Sequence, residues 1–461
     1  MKKAIAILLV FAFAFSLFAC TGKEVNGGFE LSKVDNSQQN DNIIESVIEK
    51  TTEAIASTIF ANETEICSYP LKENAENNTD YEILTDYFEE YITPASSSAA
   101  NLTAEFALKI FKKTYNTHEN ALISPVSILL ALCLAAEGAD GQTLEQMEKV
   151  MGSDIETLRS VFSSYIANQK NSDELRLANS VWLNNERNRL SVAENFINTC
   201  KNSYNAEVFS ESFDDKTAKK INKWVSKNTD GTIDSIIPSI PSQAVMYLIN
   251  TVLFEAEWQR PYYKGQVVPG SFNNADGSKS QVEMMVSDEY RYFSLGKVQG
   301  IIKDYKRANY AFVAMLPDEG TSLSDAVASL NSDEFIKKMT EETYRHSVVR
   351  LPKFEFECAF ELPEVFKGLG MTDAFDFSKA DFSKMGSSTR GNLFINNILH
   401  KTYIKVAEKG TKAGAATVIE VADSDAPMEP LILTFDRPFI FAIIEKESGM
   451  PIFLGTVTSF K

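Results

Sequence analysis

The side chains that most often carry out chemistry in proteins are sparse in this sequence. The chain has three histidines, His118, His346 and His400. A Ser-His-Asp triad requires a histidine beside a nucleophile, and no G-x-S-x-G nucleophile motif occurs. No cysteine or histidine spacing matches a metal site, and no glycine-rich phosphate loop is present. We therefore expect no enzyme, no metal and no cofactor.

One cysteine lies in a processing motif at the N-terminus. The first twenty residues, "MKKAIAILLVFAFAFSLFAC", combine two lysines, a short apolar run and a small residue before Cys20. This pattern is typical of an export signal rather than of a spanning helix. The Leu-x-Ala-Cys ending resembles a bacterial lipobox, which implies a signal peptide over residues 1–19 and acylation of the Cys20 thiol. The alternative is a plain secretory signal in which Cys20 is incidental.

A stretch of small residues near the C-terminus, "EKGTKAGAATVIEVADSDAPMEP", has the periodicity of a strand. Side chains of a strand alternate between two faces. One face would carry Thr411, Ala413, Ala415, Thr417, Ile419 and Val421, which are uncharged. The other face contains both charges, Lys412 and Glu420. The alternation fails at Asp423, because burying an unpaired carboxylate is costly. We therefore predict an insertable strand that ends near Ala422, against the alternative of a flexible loop.

Composition bounds the possible partners and the domain organisation. The 461 residues are 44% hydrophobic and carry a formal net charge of -18. Such an acidic chain is unsuited to nucleic acid or to anionic lipid surfaces, which select for lysine and arginine. Residues 20–98 are acidic and polar and predict a solvated tether, with an additional packed subdomain as the alternative. Residues 99–461 have a globular pattern.

Hydrophobic periodicity places helices first and strands later in the globular part. Phe106, Ile110 and Phe111 share one helical face, and a Ser-Pro pair precedes the next apolar helix. Thr143 is expected to cap the helix after that one. The segments "LRLANSVWLNN", "AVMYLINTVLFEAEW", "SVVRLPKFEFECAF" and "PLILTFDRPFIFAI" predict strands, while "TAKKINKWVSKN" predicts an amphipathic helix. Because helices and strands do not alternate, the predicted class is α+β.

The order of these segments and their residues resemble those of the serpin family. The resemblance covers residues 101–461, and "LTFDRPFIFAI" fits the C-terminal signature of the family position by position. The segments "ISPVSILLALCLAAEGADGQT", "INTVLFEAEWQRPY", "LPKFEFE" and "ILHKTYIKVAEKGTKAGAAT" are also similar to family blocks. Several specific motifs in the same order make coincidence an inadequate explanation.

The resemblance implies a fold and a mechanism. The fold would have three β-sheets, about nine helices and an exposed reactive-centre loop. A serine protease would cleave this loop as a substrate, and the cut loop would insert into the central sheet and trap the acyl-enzyme. Loop insertion in serpins is a known example of strand addition. The alternative is a non-inhibitory surface or binding protein with the same fold.

Two groups of residues take on roles by this resemblance. The hinge would comprise Glu408, Gly410, Thr411, Ala413, Ala415, Ala416 and Thr417. Control of sheet opening would fall to Ser124, Ser127, Asn250, Trp258 and His400. For His400, a buried and satisfied core histidine is also the simplest structural expectation.

The scissile bond has two candidates. Family spacing from Gly410 places it at Ser424–Asp425, whereas counting from the C-terminal signature moves it towards Met428–Glu429. Neither bond follows a basic residue, so we expect elastase-like or subtilisin-like serine proteases rather than trypsin-like ones. The expected protein is a monomeric, exported lipoprotein that contacts the membrane only through its lipid. Release from the cell surface into the medium is the alternative localisation.

Overall fold

The computed structural model describes residues 99–460 except 170–171, 187–188, 308, 342 and 412–428. The predicted signal peptide, the lipid attachment at Cys20 and the tether lie outside the described residues. Within them the chain folds into nine α-helices, two short 3-10 helices and nineteen strands. The α+β class is therefore confirmed. None of the described helices is long and apolar enough to cross a membrane.

The helices cluster in the first half of the described chain, as the periodicity predicts. In chain order they are α1 (99–114), α2 (Pro125–Ala136), α3 (Gly141–Met151), α4 (Ile155–Gln169), α5 (Glu194–Tyr204), α6 (Asp215–Asn228), α7 (Leu323–Ser329), α8 (Ser332–Thr340) and α9 (Pro363–Gly368). The 3-10 helices are Lys264–Gln266 and Asp373–Phe375.

The strands dominate the second half. They are β1 (Ala121–Ile123), β2 (Leu175–Asn184), β3 (Leu190–Val192), β4 (Ala206–Glu211), β5 (Met246–Phe254), β6 (Ala256–Glu257), β7 (Val267–Asn273), β8 (Lys279–Glu289), β9 (Arg291–Leu295), β10 (Val298–Asp304), β11 (Tyr310–Pro317), β12 (Ser347–Pro352), β13 (Phe354–Glu361), β14 (Gly386–Ser388), β15 (Leu399–Ala407), β16 (Gly410–Thr411), β17 (Leu431–Thr434), β18 (Phe439–Glu445) and β19 (Pro451–Val457).

The central helix of the core is α2, and its sequence explains its position. Ser124 is the N-cap, its hydroxyl oxygen accepts from the Ser127 amide at 3.4 Å, and Pro125 occupies the first turn. Eleven of the twelve residues of α2 are buried, because apolar side chains cover every face of the helix. The end of this helix that carries Ser124 lies under the strands described below.

The predicted cap of α3 was wrong. Asp140, not Thr143, is the N-cap, and its carboxylate accepts from the Gly141 amide at 2.9 Å. Thr143 lies within the helix, where its buried hydroxyl accepts a hydrogen bond at 2.9 Å from the amide of Asp381. Aspartate and threonine are both good N-cap residues, so the local sequence could not decide which of them caps α3. The distant contact with Asp381 explains why Thr143 lies inside the helix.

The strands pair into five hydrogen-bonded sheets within the described part of the chain. A six-stranded sheet has the order β1-β19-β18-β11-β10-β9, and a four-stranded sheet has the order β17-β12-β8-β7. The remaining sheets are β13-β15-β16-β6, β4-β2-β5 and the short pair β14-β3. The sheets that contain β15 and β5 flank one gap, so the single central sheet that the resemblance implied is divided in two.

Candidate functional site

The β5 and β15 strands face each other across a gap, which we call the slot, and the short strand β16 lies between β15 and β6 at its upper end. The β16 strand runs antiparallel to β15 on one side and to β6 on the other, and β6 continues the line of β5. The β5 and β15 strands are therefore parallel to each other. No backbone hydrogen bond joins these two strands, which are both fully described. Within the described part of the chain, each therefore presents an unpaired edge to the slot.

A small cavity marks the slot just below its upper end. Val252, Leu253 and Phe254 line it from β5, and Tyr403, Ile404 and Lys405 line it from β15. Thr411 of β16, together with Thr232 and Ile233 after α6, completes the lining. Residues of both rims therefore border one cavity next to Thr411, the last described residue before the loop.

The upper end of the slot is closed by the two residues of β16. Gly410 has φ 152°, and a Cβ atom at this position would lie 2.1 Å from the Ala256 carbonyl oxygen. Only glycine fits between the neighbouring strands, because any side chain would collide with their backbone. Thr411 is 3% exposed, and its hydroxyl is hydrogen bonded to the Tyr305 hydroxyl. The root of the loop is therefore already paired as a strand.

Trp258 fastens this root from below. Its indole N–H donates to the Ala407 carbonyl at 2.8 Å, and its backbone amide donates to the Lys409 carbonyl at 2.9 Å. The indole is fully buried and stacks on Tyr305 with a centroid separation of 4.5 Å and an interplanar angle of 9°. Trp258 therefore holds the end of β15 and the turn that leads into β16.

Glu408 is held at the rim by a lysine. Its carboxylate accepts from the Lys353 ammonium at 2.8 Å, and the same ammonium contacts Glu283 at 2.7 Å. The hydrogen bond from Lys353 keeps the pKa of the Glu408 carboxyl below its usual value. Both partners are partly exposed, so the pair orients the turn more than it stabilises the fold.

His400 lies on the β15 rim and contacts the start of α2. Its Nε2 accepts from the Ser124 amide at 3.0 Å, so the neutral ring carries its proton on Nδ1. Burial lowers the pKa of His400 to about 3, because the charged ring would lose its solvation. Ser124, Ser127 and His400 thus form one hydrogen-bonded group under the slot.

Asn250 lies on the opposite rim and has different partners. Its Nδ2 donates to Asn179 Oδ1 at 2.8 Å, and Asn179 Nδ2 donates in turn to the Tyr204 carbonyl at 2.7 Å. The buried Oδ1 of Asn250 has no hydrogen-bond partner among the described residues. The slot therefore separates Asn250 from the His400 group, and an acceptor near the slot is left unsatisfied.

The structure brings together part of the predicted site. Glu408, Gly410, Thr411, Trp258 and the residues on both rims surround the slot. Ala413, Ala415, Ala416, Thr417, Ser424, Asp425 and Met428 lie outside the described residues, and Glu429 is exposed just before β17. No group of three or more His, Cys, Asp or Glu in the described part of the chain is placed to hold a metal ion.

Sequence reasoning missed four residues that hold the slot in place. The Tyr305 hydroxyl is hydrogen bonded to the Thr411 hydroxyl, and the Tyr305 ring stacks on Trp258. The Tyr262 backbone amide donates a hydrogen bond to the Glu408 carbonyl at 2.8 Å. Asn179 and Tyr204 support Asn250 from a distance of more than forty residues along the chain. Their positions carry no local pattern, because each acts through a contact between separate elements.

Comparison with known proteins places this architecture in one class. Residues 101–460 match the family model described as "Serpin (serine protease inhibitor)". The "Uncharacterized serpin-like protein TK1782" of Thermococcus kodakarensis is 30% identical over 397 residues, which cover 83% of this chain and 89% of that protein. The chain therefore belongs to the serpin family.

Solved structures agree with this assignment in two conformational states. The thermophilic serpin tengpin in its native state is similar with a TM-score of 0.74 and 38% identity, covering 84% of this chain and 96% of that one. Tengpin in its latent state is similar with a TM-score of 0.70 and 40% identity, covering 78% of this chain and 98% of that one. The serpin fold predicted by resemblance is thus confirmed.

Proposed function

We propose that the protein inhibits serine proteases as a suicide substrate, in which residues 412–422 become a strand between β5 and β15 after the loop is cut. One observation carries the proposal: within the described residues, β5 and β15 have no strand between them below β16, and β16 is already paired with both sides at its upper end. The chain needs only to extend an existing ladder, which avoids the costly start of a new one.

The register of β16 predicts the pairing of the inserted strand. Thr411 lies opposite Val406 and Ala256, and Gly410 lies opposite Ala407 and Glu257. If the ladder continues without a bulge, Thr417 arrives between Asn250 and His400. There its hydroxyl can donate to Asn250 Oδ1, which has no partner among the described residues, and this would satisfy a buried acceptor.

The face of the inserted strand follows from the same register. Along β15 the buried residues alternate, and they are His400, Thr402, Ile404 and Val406. Residues that pair directly in an antiparallel ladder point to the same side of the sheet. Thr411 pairs with buried Val406, so the uncharged set that includes Ala413, Ala415 and Thr417 would point into the core. The two charges, Lys412 and Glu420, would point outward.

The ladder also limits the length of the insertion and supplies its driving force. By the same register Val421 would lie opposite Met246, the first residue of β5. Residues after Val421 would therefore have no strand of β5 beside them. Each new backbone hydrogen bond contributes about 0.5–1.5 kcal/mol, so a strand paired on both sides would release on the order of 10 kcal/mol. This free energy would be available to displace a bound protease.

The length limit favours Ser424–Asp425 over Met428–Glu429 as the trapping bond. A bond at Met428 adds four residues of slack, and each residue extends the tether by up to about 3.3 Å. A longer tether would pull less firmly on the acyl-enzyme, so it would favour release of the protease over trapping. The small or apolar residues at both positions suit elastase-like and subtilisin-like targets.

The proposal is tested by mixing the protein with an elastase-like and a subtilisin-like protease. We expect a complex that survives SDS, whereas loop cleavage without any complex would indicate a non-inhibitory binding protein of the same fold. The matched variants Ser424→Arg and Met428→Arg then identify the bond with trypsin. If Ser424 is correct, S424R forms the SDS-stable trypsin complex, and M428R is mainly turned over as a substrate.

We further propose that the protein acts as an exported monomer anchored by a lipid on Cys20. The support is the lipobox-like end of the leader, and the net charge of -18 leaves the lipid as the only membrane contact that we expect. Cell fractionation tests this part separately. The wild type should be recovered with membranes, and Cys20→Ala should be lost from them; equal distributions of both proteins would exclude lipid anchoring.

A further inference from the structure

A buried ion pair lies directly under the root of the loop. Lys303 at the end of β10 and Glu289 at the end of β8 are 3% and 8% exposed, and their Nζ and Oε1 atoms are 2.6 Å apart. The two strands belong to different sheets, so the pair joins the six-stranded sheet to the sheet β17-β12-β8-β7. Ser287 donates a second hydrogen bond to the same Glu289 oxygen at 2.7 Å.

The ammonium of this pair also contacts the aromatic side chains that support the loop root. Lys303 Nζ lies 4.6 Å from the centroid of the Tyr262 ring and 5.6 Å from that of the Trp258 ring. A cation over an aromatic face is attracted by the ring quadrupole, more strongly when water is excluded. Although burial alone would lower it, the pKa of Lys303 is raised, because Tyr262 and Glu289 favour the charged form.

The same two aromatic residues fasten the loop root through their backbone amides. The Trp258 amide donates to the Lys409 carbonyl at 2.9 Å, and the Tyr262 amide donates to the Glu408 carbonyl at 2.8 Å. Gln259, between them, donates to the Asp304 carbonyl at 3.0 Å, next to Lys303. The segment 258–262 therefore connects the ion pair to the chain that enters β16.

We propose that Lys303 and Glu289 are positioning residues that hold the segment 258–262, and through it the loop root, so that the loop does not advance into the slot before it is cut. A buried pair of this kind need not stabilise the fold, since an apolar pair of similar volume is often as stable. Its specific contribution here is geometric, because one cation fixes two aromatic rings and two sheets at once. This role depends on the proposed loop insertion.

The test compares Lys303→Met, Glu289→Gln and the double variant K303M/E289L with the wild type. Either single change leaves one charge buried without its partner, which strongly destabilises its surroundings. We expect amide hydrogen exchange in residues 258–262 to accelerate roughly tenfold in each single variant, since local opening becomes easier. Without protease at elevated temperature, inhibitory activity should also decay roughly tenfold faster in these variants. The double variant should recover its unfolding temperature but keep the faster exchange at residues 258–262, because no cation remains over the two rings.

A matched control separates positioning from general stability. Arg189 is also a buried cation, 7% exposed, and its side-chain partners among the described residues are the Glu186 carboxylate at 2.9 Å and the Ser242 carbonyl. Arg189→Met should lower the unfolding temperature without changing exchange at 258–262. Unchanged exchange in K303M and E289Q, or equal acceleration in R189M, would overturn the proposal. If the wild type forms no protease complex, the proposed function fails, yet the exchange comparison still decides the role of the pair.

Discussion

Protonation of His400 is the perturbation whose effect on stability can be derived most directly from the structure. The ring is buried, its Nε2 accepts from the Ser124 amide, and burial lowers its pKa to about 3 in the folded protein. In the unfolded chain the pKa would return to about 6.5. Between these two pKa values, the unfolded state therefore binds a proton at His400 that the folded state does not bind.

The sign and size of the effect follow from linkage. Because the folded pKa is the lower one, the contribution of His400 to stability is complete above pH 6.5 and is lost as the pH falls towards 3. Between pH 7 and pH 4 the unfolded state gains almost one full proton at this site. At 1.36 kcal/mol per pKa unit, the loss of unfolding free energy is about 3 kcal/mol.

Urea unfolding curves at pH 7 and pH 4 measure this loss. His400→Gln should be less stable than the wild type at pH 7, but its stability should fall by about 3 kcal/mol less between the two pH values. His118, which is exposed, provides the control, and His118→Gln should follow the wild-type curve. An identical pH dependence in the wild type and H400Q would refute the assignment of a buried neutral histidine.

Three further outcomes follow from single contacts. Gly410→Ala should lower the unfolding free energy by about 1–3 kcal/mol and convert inhibition into substrate turnover, because its Cβ would collide with the Ala256 carbonyl. Thermal unfolding measures the first effect and the stoichiometry of inhibition measures the second. An unchanged stoichiometry would count against the tight fit. Asn179→Ala should cost about 1–3 kcal/mol in urea unfolding, since it leaves Asn250 Nδ2 without its acceptor. The Cys358 thiol, whose pKa burial raises to about 11, should resist a thiol reagent at neutral pH until the protein unfolds, and rapid native labelling would contradict its burial.

Local patterns predicted most of the elements around the slot. Alternation identified β2, and the segment "SVVRLPKFEFECAF" was correctly predicted as strand and forms β12 and β13. Apolar periodicity identified α1 and α2, and the Ser-Pro pair marked the cap at Ser124. Thr411 shows why the loop pattern was informative, since the first member of the uncharged face is indeed buried. In each case the residue type is determined by its own strand or helix, so neighbours in sequence carry the information.

Contacts between separate elements were beyond the reach of local patterns. The Thr143 hydroxyl serves Asp381 instead of a helix cap, and the Asn250 amide depends on Asn179 across two strands. From residue type alone Lys303 would be predicted to lie on the surface, because no neighbouring residue in the sequence indicates its pairing with Glu289. Such pairings arise when sheets pack on each other, and they become visible only once the topology is known.

The central claim is that residues 412–422 enter the slot as a strand, and hydrogen exchange on the loop-cleaved protein tests it most directly. Among the described residues, the slot-facing amides of β5 and β15 have no strand partner. After cleavage, we expect these amides to become strongly protected and the unfolding temperature to rise. Exchange at these amides and an unfolding temperature that both match the uncleaved protein would contradict the account.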